Sequence, residues 1–141
     1  MTDGFRAEFL APADAEAIDR VHLLFEELAV RRPDLAEDRR SAFELAVVEV
    51  VTNVIQHGSE GTRARVQLEL GHTDDGLRAE VTDDAAPADV DVSGATMPDP
   101  DDFGESGRGL ALIGLLVDEF VHEPLPHGNR WTLVSRAASS R

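Results

Sequence analysis

The chain has 141 residues, 42% of them hydrophobic, and contains no cysteine. That length suits a single domain with its own core, and the missing thiols exclude disulfides and thiolate metal sites while agreeing with a reducing cytoplasm. With 28 acidic against 13 basic side chains and a formal charge of −15, it is a poor nucleic-acid binder and better suited to a basic protein surface or to solubility.

The N-terminal MTDGFRAEFLAPAD is acidic and lacks a basic start followed by an apolar stretch, so no secretory signal is expected. No apolar run approaches the roughly 18 residues needed to span a bilayer, so no membrane partner is expected. Phe5 to Leu10 reads as a short strand closed by Ala11-Pro12. Asp14 is placed to cap a helix over about 15 to 31, along which Ile18, Val21, Leu24 or Phe25, and Leu28 recur at helical spacing. Pro33 breaks that pattern. A second helix runs from about 35 to 57, and Gly58 suits the left-handed conformation that closes helices.

Ala64, Val66, Leu68 and Leu70 then alternate with polar neighbours, as do Leu77, Ala79 and Val81 after Asp74-Asp75-Gly76, which predicts a β-hairpin. Residues 85 to 106 are rich in Asp, Pro and Gly with little periodicity, and read as a long loop of the kind that often serves as a lid. A third helix is expected over about 109 to 118. Strands near 119 to 123 and 130 to 135 follow, turning at His127-Gly128-Asn129, and 137 to 141 form a tail. Helices segregated from hairpin-connected strands predict an α+β fold, a two-layer sandwich with helices on one face of a mixed sheet.

Within the second helix, ELAVVEVVTNVIQHG spaces Glu49, Asn53 and His57 four residues apart. Each such step turns the helix by only about 40°, so the three share one stripe. Leu45, Val47, Val48, Val50, Val51, Val54 and Ile55 are apolar enough to bury most of the rest. A carboxylate can accept a hydroxyl proton, and a carboxamide oxygen is a hard ligand suited to Mg²⁺. The plainer reading is a polar edge facing water. Asp83 follows the strand that alternates up to Val81; an acceptor-only carboxylate there could receive a hydrogen bond from an exocyclic amine, or simply end the strand. Gly107-Arg108-Gly109-Leu110 opens an apolar helix, where free N–H groups and a guanidinium would suit phosphates, although glycine-rich helix starts without ligands are common. The segment is neither a Walker A loop nor a Rossmann fingerprint.

In this order, and over roughly residues 10 to 135, these segments resemble the ATPase domain shared by gyrase, Hsp90, histidine kinases and MutL. Within that group the chain resembles the stand-alone serine-protein kinases that act as bacterial anti-sigma factors. ELAVVEVVTNVIQHG is similar to the family's N-box and GRGLALIG (107 to 114) to its second glycine box. VTDDAAPAD departs from the usual Asp-x-Gly-x-Gly pattern by placing Ala85 and Ala86-Pro87 where glycines normally stand.

The resemblance implies a Bergerat-type ATP-binding fold over residues 1 to 136, with the 85 to 106 loop as an ATP lid. Asn53 would coordinate Mg²⁺ at the ATP phosphates, and Glu49 would be the general base. Asp83 would bind the adenine amino group, with Gly107, Arg108, Gly109 and Leu110 along the phosphates. His57 would be a helix-end group. The implied function is a cytoplasmic serine/threonine kinase that phosphorylates a STAS-type anti-sigma factor antagonist. A sigma factor would be the competing partner, and the protein would dimerise through the face bearing its first strand and helix. The alternative is a non-catalytic, nucleotide-gated module that sequesters a partner, for which a base at Glu49 has no use. A detached histidine-kinase catalytic domain fits less well, because His22 lacks the long companion helix a phosphoacceptor needs.

Overall fold

The computed structural model describes residues 4–58, 64–85 and 109–137. Most of the expected lid, Gly107, Arg108 and most of the expected tail therefore lie outside the described residues. Strand β1 (Phe5–Pro12) leads into α1 (Ala15–Arg31) and α2 (Glu37–Gly58). Next come β2 (Arg65–Thr73), β3 (Gly76–Asp83), α3 over 109–116, β4 (Glu119–Leu125) and β5 (Gly128–Arg136).

Asp14 caps α1 as expected: its Oδ1 accepts from the Glu16 amide at 2.9 Å, satisfying a donor left free in the first turn. Ala17, Val21, Phe25 and Leu28 are buried at helical spacing, so one stripe of α1 faces the core. Its partner α2 begins at Glu37, later than the apolar pattern suggested. Leu35 is buried but lies in the preceding turn, where its amide bonds to the Arg32 carbonyl at 3.1 Å. Glu37 and Asp38 fill the first turn of α2, where acidic groups complement the helix dipole. His22 Nδ1 lies 2.6 Å from Glu44 Oε2, linking the two helices on their exposed side.

The sheet order is β1-β2-β3-β5-β4, and every pairing is antiparallel rather than mixed in direction. Two helices between β1 and β2 carry the chain up and back, so those strands run oppositely. Of strands consecutive in the chain, among the described residues only β3 and β4 run the same way, with α3 between them, and β5 separates them in the sheet. Phe5 pairs with His72 at one end of the sheet, and Gly76 with Arg136.

Val66, Leu68, Leu70, Leu77, Ala79, Val81, Trp131 and Leu133 form the inner sheet face, packed in one core with Phe25, Leu28, Phe43, Val47, Val50 and Val51. Each large apolar side chain there contributes about 1.5–3 kcal/mol. Leu45 is 43% exposed and does not join the buried set expected of α2. The opposite face of the sheet carries ion pairs such as Arg6–Glu69 at 3.8 Å and Arg130–Glu80 at 3.5 Å.

The last hairpin turns at residues 126 and 127, earlier than expected, so Asn129 belongs to β5 and pairs with Asp83. Gly128 makes this possible. Its φ is +142°, and an added Cβ would stand 1.9 Å from the Asp83 carbonyl oxygen, a place open only to glycine.

His72 is buried on β2, and its Nδ1 has no partner among the described residues. Burial, then the nearby Arg32, holds its pKa below the usual imidazole range, against the pull of Asp34. The unfolded chain then binds that proton more readily, so stability is complete above about pH 6.5 and declines as pH falls below it. Melting temperature should drop more steeply from pH 7 to pH 5 in the wild type than in His72→Gln. Parallel slopes would contradict this assignment.

Candidate functional site

Arg39, near the start of α2, donates from Nη2 to Ser135 Oγ at 3.4 Å and to the Arg136 carbonyl, both at the far end of β5. From Arg39 to Asn53 the helix rises about 21 Å. From Ser135 back to Asn129 the strand covers about 20 Å. Asn53 therefore arrives at the end of the sheet where β3 stops at Asp83 and β5 starts. The N-box-like stripe and the β3 aspartate share one pole of the molecule.

Asn53 sits on the core-facing side of α2, 5% exposed, and its Oδ1 has no hydrogen-bond partner among the described residues. A water-facing polar edge does not describe it. One turn earlier, Glu49 is partly buried. The first described residue of α3, Gly109, packs directly against it: an added Cβ would lie 2.8 Å from Glu49 Oε2. The absent side chain at Gly109 thus leaves room for the Glu49 carboxylate, and Leu110 beside it packs on the core. Two segments singled out separately in the sequence are brought into contact. Gly107 and Arg108, and the side chain of His57, lie outside the described residues.

Asp83 is the last residue of β3 rather than a residue beyond it. It follows Leu77, Ala79 and Val81 in the inward phase and is 6% exposed. Its Oδ1 accepts from the Ala85 amide at 3.0 Å and from Asn129 Nδ2 at 2.9 Å, and its Oδ2 from Trp131 Nε1 at 3.0 Å. Ala85, standing where a glycine was expected, is buried without strain, since no described non-glycine residue has positive φ. Asn129, Trp131 and His122 were not singled out from sequence. The available signal was a polar residue in the inward phase of the last strand, obscured by its apparent place in a turn.

Among the described residues, no cluster of three or more His, Asp or Glu could hold a metal. The donor set that does exist is the unpartnered Asn53 oxygen, buried and uncompensated. It fits a cation such as Mg²⁺, which takes few protein ligands and completes its shell with water and phosphate oxygens. No described helix is long and apolar enough to cross a membrane.

Residues 11–134 match the family described as histidine kinase-like ATPase domain. Among solved structures, the chain is similar to the crystal structure of the RsbU and RsbW domains of Rv1364c from Mycobacterium tuberculosis. That likeness has a TM-score of 0.61 at 18% identity and covers 97% of this chain and 34% of the other. At that identity the likeness is one of fold, and the chain spans about a third of the structure it matches. No curated protein matches.

Proposed function

Because the chain belongs to the histidine kinase-like ATPase domain family, we propose that it is an ATP-dependent serine/threonine kinase acting as an anti-sigma regulatory factor. The single observation that carries the proposal is the buried, unpartnered Asn53 oxygen one helical turn from a carboxylate seated on Gly109. In this reading residues 1 to 136 form one ATPase domain, with 85 to 106 closing over the nucleotide.

Asn53 would hold Mg²⁺, Asp83 would face the base, and Gly107, Arg108, Gly109 and Leu110 would line the phosphates. Magnesium-bound ATP supplies the transferable phosphoryl group. Glu49 would accept the proton of the attacking serine hydroxyl as the serine oxygen bonds to the γ-phosphorus and ADP leaves, from a position against Gly109. Phosphoryl transfer depends mostly on positioning and electrostatics, so this small set suffices. The substrate would be a serine of a STAS-type antagonist, with a sigma factor as competing partner, in a cytoplasmic homodimer. That choice of partner class rests on the resemblance carried by the N-box-like and glycine-box-like segments.

Ala85 favours a second reading, a nucleotide-gated binding module without catalysis, because it replaces a glycine that the family normally places beside the base. The two readings share one requirement. At about 100 times its dissociation constant, Mg²⁺-ATP should add roughly 2.7 kcal/mol of stability, a rise in melting temperature on the order of 5–10 °C. No shift at millimolar nucleotide would remove both. Labelled ATP and a STAS-domain protein, followed by mass spectrometry of the modified serine, then separate kinase from module.

A further inference from the structure

Asp83, Asn129 and Trp131 are 6%, 3% and 1% exposed, and their hydrogen bonds have a determined direction. A carboxylate only accepts, so the amide of Asn129 must turn Nδ2 toward Asp83 Oδ1, 2.9 Å away. That leaves Asn129 Oδ1 facing His122 Nε2 at 2.8 Å, and the imidazole must carry its proton on Nε2. Both the Nε2–H tautomer and the imidazolium satisfy this; the Nδ1–H tautomer does not. On the other side, Trp131 Nε1 donates to Asp83 Oδ2 at 3.0 Å. The indole is itself held by the rings of Phe120 and His122, with centroids 6.1 and 4.2 Å away.

This arrangement uses up most of the acceptor capacity of Asp83. Oδ1 already takes two donors and Oδ2 takes one. Each carboxylate oxygen accommodates about two, so among the described residues one acceptor direction remains, on Oδ2 beside the indole N–H. Held at both oxygens, the carboxylate cannot rotate to offer anything else.

We propose that Trp131, Asn129 and His122 are positioning residues that set base selectivity at Asp83, a statement that rests on the nucleotide reading above. The single remaining acceptor matches one exocyclic N–H of a 6-aminopurine. A 6-oxopurine places its own lone pairs against that acceptor and leaves the group buried and unpaired, the kind of mismatch that hydrogen-bonding sites reject most strongly. Loosening the carboxylate lets it turn aside, and the discrimination falls.

The test compares ATP with ITP, which replaces the 6-amino group by an oxo group, by calorimetry on the whole chain. Wild type should prefer ATP by on the order of 10²-fold or more. Trp131→Phe, which keeps an aromatic ring and removes the N–H, should lower that ratio about tenfold or more through weaker ATP binding. His122→Phe preserves a ring against the indole at a partly exposed strand position and removes the donor to Asn129. It should lower the ratio in the same direction and serves if Trp131→Phe folds poorly. Trp131 is the only tryptophan in the chain, so its emission in wild type should respond to ATP and not to ITP at equal saturation. A merely structural role would weaken both nucleotides alike. A ratio unchanged in both variants, with wild type binding normally, overturns this inference alone. Wild type that binds neither nucleotide overturns it together with the function proposed above.

Discussion

Glu49→Gln should bind Mg²⁺-ATP as wild type does and transfer phosphate about 10²–10⁴-fold more slowly, the usual range for loss of a general base. Glutamine keeps the length and shape of the side chain, so its fit against Gly109 survives while the ability to accept a proton is lost. The thermal shift with nucleotide separates binding from chemistry, and single-turnover transfer to the partner measures the step directly. Gly109→Ala approaches the same group from the other side. Its methyl would stand 2.8 Å from Glu49 Oε2 and displace the carboxylate, which is free to move, so transfer should slow with little loss of stability. Wild-type rates in Glu49→Gln would rule out Glu49 as the base.

Asp83→Ala should be strongly destabilising. It strands the Ala85 amide, Asn129 Nδ2 and Trp131 Nε1 in a nearly dry environment. Losing one member of such a network costs about 3–5 kcal/mol, on the order of 10–15 °C in melting temperature. Asp83→Asn retains one oxygen and should lose less than half as much. Thermal unfolding without nucleotide makes the comparison, since the effect belongs to the fold. A loss under about 1 kcal/mol for Asp83→Ala would mean that the three donors find water or other partners.

The parts of the fold visible in the sequence are those that local chemistry decides. The Asp14 cap, the buried stripe of α1 and the alternation along β2 and β3 each involve residues within a few positions of one another. The Glu49–Asn53 pairing was legible for the same reason. Leu45 was assigned to the buried set because composition does not reveal which side of a mostly apolar helix is covered. The Asp83–Asn129 contact spans 46 residues and depends on β3 choosing β5 as its neighbour, which no local pattern encodes. Once that pairing exists, the inward phase of both strands requires Asp83, Asn129 and Trp131 to meet. The antiparallel sheet likewise follows from β5 inserting between β3 and β4, a choice made by the whole chain.

Phe5 pairs with His72 and Arg136 with Gly76, so the outermost strand residues at both ends of the chain lie beside the β2–β3 hairpin. Asn53, Asp83 and Gly128 sit at the opposite pole. Exposed side chains of that hairpin, such as Arg78, therefore stand at the rear of the described molecule, away from that pole. A dye attached at Arg78 should therefore report on the protein without touching Asn53 or Asp83.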